Sequence, residues 1–96
     1  MSLTPRDEVI AVINGERDYQ QAKWGDAPHS PLEFLVYMRD YIEEAMHLCS
    51  RNSDALIGDQ VLGSIRKVTT LGVACMEQHG APARRTLETI LGGPQR

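Results

Sequence analysis

Apolar residues recur at spacings of three and four along three long stretches of the chain, the period of helices that bury one face. In the first stretch Val9, Ile10, Val12 and Ile13, with Tyr19 further on, supply the packing face. In the second, Leu32, Leu35, Val36, Met38, Ile42, Ala45, Met46 and Cys49 make a broad apolar surface. The third carries Ile57, Val61, Ile65, Val68, Leu71, Gly72 and Cys75, widened by Leu56, Leu62 and Met76. Capping residues bound each stretch. Thr4-Pro5 opens the first helix, with Asp7 and Glu8 in the first turn where negative charge meets exposed amides. Ser30 caps the second, with Pro31 at the first helical position and Glu33 three residues after the cap, as a capping box requires. Asn52 or Ser53 caps the third, and His79-Gly80 supplies its left-handed stop. Ala81-Pro82 then starts a short fourth helix carrying Leu87, Ile90 and Leu91, ended by Gly92-Gly93-Pro94.

The pattern predicts an all-α fold: one domain over residues 1–96, a small antiparallel helical bundle of three long helices plus a short C-terminal helix, at about 5–24, 31–49, 54–78 and 82–91. Gly25 to His29 is a short, rigid connection that makes the first two helices a hairpin. Gly15 weakens the first helix and marks a close helix contact, a bend or a tolerated glycine, while Gly72 marks close approach of another helix. Three helices make a thin bundle, so the core is expected to be completed across a two-fold interface in a homo-oligomer.

Charge narrows the partners. The 10 basic and 13 acidic residues are spread along the chain, and the longest basic runs are the pairs Arg66-Lys67 and Arg84-Arg85, too short to form a footprint for duplex nucleic acid. No segment is long and apolar enough for a membrane span, and no basic start leads into an apolar run, so the expectation is a soluble, cytoplasmic protein. Cys49 and Cys75, with no CxxC spacing, read as reduced thiols. The signals of serine hydrolases, P-loops and zincins are missing from the sequence.

Three sets of residues could carry chemistry. Asp40, Glu43 and Glu44 lie within little more than one turn, so Asp40 can share a side with either glutamate and offer oxygens to a hard cation such as Mg²⁺; a solvated acidic face is the alternative. Glu44 and His47 add an E-x-x-H pair of the kind used in bundle metal sites. The second set is Glu16, Arg17, Tyr19, Gln20, Lys23 and Trp24, which offers an acceptor, an amide, cations and two rings to a base and its phosphate, or else forms an interhelical seam. The third is Arg66 and Lys67, placed to make an interhelical salt bridge or to meet a phosphate; Arg84 and Arg85 read as solvent or subunit contacts.

ERDYQQAKWG, HSPLEFLVYMRDYIEEA and IRKVTTLGVACMEQHG together resemble small phage and bacterial proteins related to the MazG-like all-α nucleoside triphosphate pyrophosphohydrolases, over roughly residues 16–80. The resemblance implies a helical dimer or tetramer that uses Mg²⁺ to split a nucleoside triphosphate between its α and β phosphates. Asp40-x-x-Glu43 matches the family's E-x-x-E with one conservative change, and Glu44 adds a neighbouring carboxylate. On that pattern Asp40, Glu43 and Glu44 are the metal-holding and catalytic acids, and Lys67 or Lys23 offsets charge on the leaving pyrophosphate. The family's second motif, E-x-x-D, falls on Ser64-Ile65-Arg66-Lys67, which has neither carboxylate. Three functions follow: an Mg²⁺-dependent pyrophosphohydrolase, a noncatalytic binder of a nucleotide, cyclic nucleotide or other phosphorylated small molecule, and a helical protein-interaction module such as a phage inhibitor of a host factor.

Overall fold

The computed structural model describes residues 3–51 and 55–84. It contains three helices, α1 (Pro5–Trp24), α2 (Pro31–Arg51) and α3 (Ala55–His79), and no strand among the described residues. The first helix has the expected bounds, and the second runs two residues beyond the predicted end. Residues 81–84 are not helical, and the rest of the fourth helix expected at 82–91 lies outside the described residues. None of the helices described is long and apolar enough to cross a membrane.

The helix ends obey the local chemistry in the sequence. Thr4 Oγ1 accepts from the Asp7 backbone N–H at 3.1 Å while Asp7 Oδ2 accepts from the Thr4 N–H at 3.2 Å, a reciprocal capping box. Ser30 and Glu33 repeat the arrangement on α2, at 3.1 and 2.8 Å. Gly25 and Gly80 end α1 and α3 with φ of 72° and 111°, a region that side chains with a Cβ rarely enter. Their N–H groups close the final turns onto the Gln21 and Met76 carbonyls, at 2.8 Å each.

α3 is the central element. It packs along α2 and, over a shorter length, against α1, whereas α1 and α2 do not pack on each other among the described residues. The hairpin therefore opens as a V with α3 across its base. Phe34, Leu71 and Ala74 form the buried cluster, with Met38, Tyr41 and Cys75 packed around it. The stripe of α2 turned toward α3 is Phe34, Met38, Tyr41 and Ala45, at steps of four, three and four. Phe34, absent from the apolar face inferred by spacing, is 3% exposed, and Leu32, Leu35, Ile42 and Met46 of that face are exposed.

The first helix corrects the sequence expectation more sharply. Val9, Ile10 and Val12, expected to pack, are exposed, and α1 instead meets α3 through polar side chains. Glu16 Oε1 accepts from Arg66 Nε at 2.8 Å, and Arg17 is bound to Glu77. The apolar period of α1 is real, but among the described residues Val9, Ile10 and Val12 in its N-terminal half are left uncovered. Gly72 faces Met38 of α2, but a Cβ placed there would lie 3.8 Å from Met38 Cε, an ordinary van der Waals contact, so the expected close approach that would require glycine is not seen.

Candidate functional site

The V between α1 and α2 is a cleft of about 580 Å³ floored by α3. Gln20 and Trp24 of α1 form one wall, Tyr37 and Tyr41 of α2 the other, and Leu71 and Ala74 lie at the base. The α2 wall exists because Phe34, Tyr37 and Tyr41 stand at steps of three and four, so one helical face carries all three rings.

Hydrogen bonds from the α1–α2 connection hold the apex. The His29 backbone N–H donates to Gln78 Oε1 at 3.0 Å, Gln78 Nε2 donates to the Ala27 carbonyl at 3.3 Å, and His79 Nε2 donates to the His29 carbonyl at 2.7 Å. The His29 ring stands edge-on to both Phe34 and Tyr37, with centroids 5.7 and 5.6 Å away. These contacts tie the connection to the last turn of α3, so the cleft is held open rather than left to a loose loop. His29, Phe34, Tyr37, Tyr41 and Gln78 were not singled out from the sequence as site residues. The ring spacing on α2 was the available signal, read there only as part of a helix.

The expected α1 set divides into three. Glu16 and Arg17 are engaged with α3: Arg17 Nε lies 3.1 Å from each Glu77 carboxylate oxygen, its Nη2 is 2.9 Å from Oε1, and Nη2 also donates to Gln21 Oε1 at 2.8 Å. Gln21 in turn donates to Asp26. Tyr19, Lys23 and Trp24 group together, with Lys23 Nζ 5.8 Å from the Tyr19 ring and 5.5 Å from the Trp24 ring, and of the three Trp24 also lines the cleft. Gln20 turns inward; it is 2% exposed, and its Oε1 is buried with no hydrogen-bond partner.

The acids of α2 continue from the open end of the cleft. Asp40, Glu43, Glu44 and His47 border a shallow depression of about 410 Å³, and Asp40 also lines the aromatic cleft. Glu43 lies within reach of Arg39, with Oε1 3.9 Å from Nε on an exposed surface. Lys67 Nζ sits 5.5 Å from the centre of the Tyr41 ring, which places a cation on the α3 side of the same rim. Among the described residues, no three His, Cys, Asp or Glu side chains converge as a metal site. Mg²⁺ is commonly held by one or two carboxylates, with water and substrate phosphates completing its octahedral shell, and Asp40, Glu43 and Glu44 are the carboxylates that border this depression.

The surroundings of the cleft are mixed in charge but already largely paired. Arg17 is neutralised by Glu77, and Arg66 by Glu16. The Ser30 backbone N–H bonded to Glu33 lowers its pKa, opposed in part by desolvation, with smaller lowering from the Ser30 hydroxyl and from His29. Chemically the site can hold a flat ring between aromatic walls, offer it an acceptor from the α1 wall, and present carboxylates and Lys67 to whatever extends from the open end. No family model matches this chain, no curated protein matches its sequence, and no solved structure matches its fold.

Proposed function

We propose that the chain binds a nucleotide, with the base in the aromatic cleft and the phosphates leaving it past Asp40, and that it holds the ligand rather than cleaving it. The observation carrying this reading is Asp40 itself, which lines both the ring-walled cleft and the acidic depression, so one extended ligand with an aromatic end and an ionic end spans them. Lys67 at the Tyr41 ring brings positive charge suited to phosphate to the Asp40 end of the cleft. The resemblance to the MazG-like pyrophosphohydrolases supports the ligand class. Retention without hydrolysis is favoured because Ser64 and Lys67 occupy positions where that family carries acids. The deciding experiment is thermal stability with nucleoside mono-, di-, tri- and cyclic phosphates, with and without Mg²⁺, followed by chromatography of every stabilising ligand. A stabilising nucleotide recovered intact is the expected result. Recovery as monophosphate and pyrophosphate, only with Mg²⁺, would instead establish the hydrolase, and absence of any shift would favour a protein-interaction module.

The same proposal makes the working species a homodimer or homotetramer. Among the described residues Phe34, Ala45, Leu71 and Ala74 are the buried apolar ones, while Ile42, Met46, Leu62 and Ile65 of α2 and α3 stand exposed. A groove of about 620 Å³ runs between those two helices, bordered by Ile42, Met46, Val61, Ile65 and Val68. So small a core gives a single copy little hydrophobic stabilisation, and an apolar face on the central helix pair is where a second copy adds most. Sedimentation should show an oligomer that Met46→Lys dissociates.

A further inference from the structure

We propose that Gln20 selects the base: the cleft takes a planar heterocycle that presents an N–H donor to Gln20 Oε1. This inference rests on the nucleotide reading above. Among the described residues Gln20 Oε1 is the buried side-chain polar atom left without a hydrogen bond. Other polar groups in the same layer are matched. Thr70, fully buried, donates from Oγ1 to the Arg66 carbonyl at 2.7 Å, and Glu16 and Arg17 are bound to Arg66 and Glu77. A buried acceptor without a donor destabilises the fold that contains it, so its presence in a cleft wall calls for a partner from outside the chain.

The surroundings limit what that partner can be. Gln20 lies on the wall shared with Trp24 and faces a cleft bounded by Tyr37, Tyr41 and Leu71, so the donor must arrive on a flat, largely apolar body. An exocyclic amine or a ring N–H on a base satisfies this; a sugar or an acyclic phosphate would bring donors but leave the rings uncovered. Arg17, three residues before Gln20 on α1, is committed to Glu77 and Gln21 and makes no hydrogen bond to the Gln20 oxygen. A base lacking the donor fills the same space but leaves the acceptor buried and unmet, which weakens binding by about ten- to a hundredfold.

The test compares matched ligands that differ only in the donor: adenosine monophosphate against purine riboside monophosphate, and uridine monophosphate against its N3-methyl derivative. Binding is measured by calorimetry on the full chain and on Gln20→Met. At least one parent should bind the wild type at least tenfold more tightly than its derivative. The Gln20→Met protein should melt no lower than wild type without ligand, because the orphaned acceptor is gone, and should bind parent and derivative alike. Equal binding of parent and derivative to wild type, or discrimination that survives in Gln20→Met, would overturn the role of Gln20 while leaving nucleotide binding intact. Should Gln20→Met fail to fold, the wild-type comparison still decides. Absence of binding by either parent would overturn this inference and the nucleotide reading together.

Discussion

Arg17 of α1 grips Glu77 of α3 with two nitrogens: Nε lies 3.1 Å from both carboxylate oxygens and Nη2 lies 2.9 Å from Oε1. The two residues are 60 positions apart, and their contact fixes the angle at which α1 leaves the base of the V. Arg17 also holds Gln21, which holds Asp26, so the pair is continuous with the end of α1 and the connection to α2. Because the apolar N-terminal half of α1 makes little contact with the rest of the chain, this polar fastening and the Glu16–Arg66 pair set the position of the α1 wall of the cleft.

A double-mutant cycle on Arg17→Ala and Glu77→Ala should therefore return a coupling of about 1 kcal/mol, above that of an ordinary exposed pair because the contact is multidentate and Arg17 is mostly buried. Chemical denaturation of the four proteins measures it. Simple additivity of the two losses would show that α1 is held by something else.

Gly15 tests whether α1 bends or needs a close contact at its midpoint. A Cβ there meets nothing within 4 Å, and the residue is exposed inside an uninterrupted helix. Gly15→Ala should stabilise the chain by about 0.5–1 kcal/mol through helix propensity alone. A loss of stability in thermal melts would mean that the position serves a contact or bend.

Acid should loosen the start of α2. The Ser30 backbone N–H lowers the Glu33 pKa in the folded chain, so the folded state favours the ionised form relative to the unfolded chain. The stabilisation is fully present above the unfolded value of about 4.3 and disappears as pH falls through the lower folded value. Glu33→Gln should flatten the dependence of melting temperature on pH across that acidic window and leave it unchanged near neutrality. A wild-type slope retained in Glu33→Gln would assign the acid sensitivity to another carboxylate.

Legibility in the sequence followed the range of the forces involved. Caps at Thr4 and Ser30 and stops at Gly25 and Gly80 act within four residues, and three helices with nearly the expected bounds follow from them. Which face each helix buries depends on partners far along the chain. Spacing alone gives Leu32, Leu35 and Ile42 the same standing as Phe34, and only the crossing of α3 decides that the Phe34, Met38, Tyr41 and Ala45 stripe turns inward. The same holds for function. Asp40, Gln20 and Trp24 were recognisable as polar or aromatic groups with chemical capacity, but Tyr37, Tyr41 and His29 joined them only because α1 and α2 diverge over α3. Arg17 and Glu16, readable from the sequence either as ligand-facing or as part of an interhelical seam, form ion pairs with Glu77 and Arg66, 60 and 50 residues away, as the seam requires.

Phe34 and Trp24, both on the cleft, separate structural from ligand-binding roles. Phe34 is nearly inaccessible and belongs to the cluster with Leu71 and Ala74, so Phe34→Ala should cost about 3–5 kcal/mol and abolish folding or come close to it. Trp24 lies on the opposite wall, 47% exposed at the last position of α1, with Lys23 against its ring, and little of the core depends on it. Trp24→Ala should therefore lower stability by less than about 1 kcal/mol, as surface substitutions do, yet weaken a bound nucleotide by about 1–3 kcal/mol, the contribution of one stacked base. Calorimetric titration alongside thermal melts distinguishes the two effects. If Trp24→Ala retained full affinity while melting normally, the base would have to stack on Tyr37 or Tyr41 alone, and the α1 wall would serve only to enclose it.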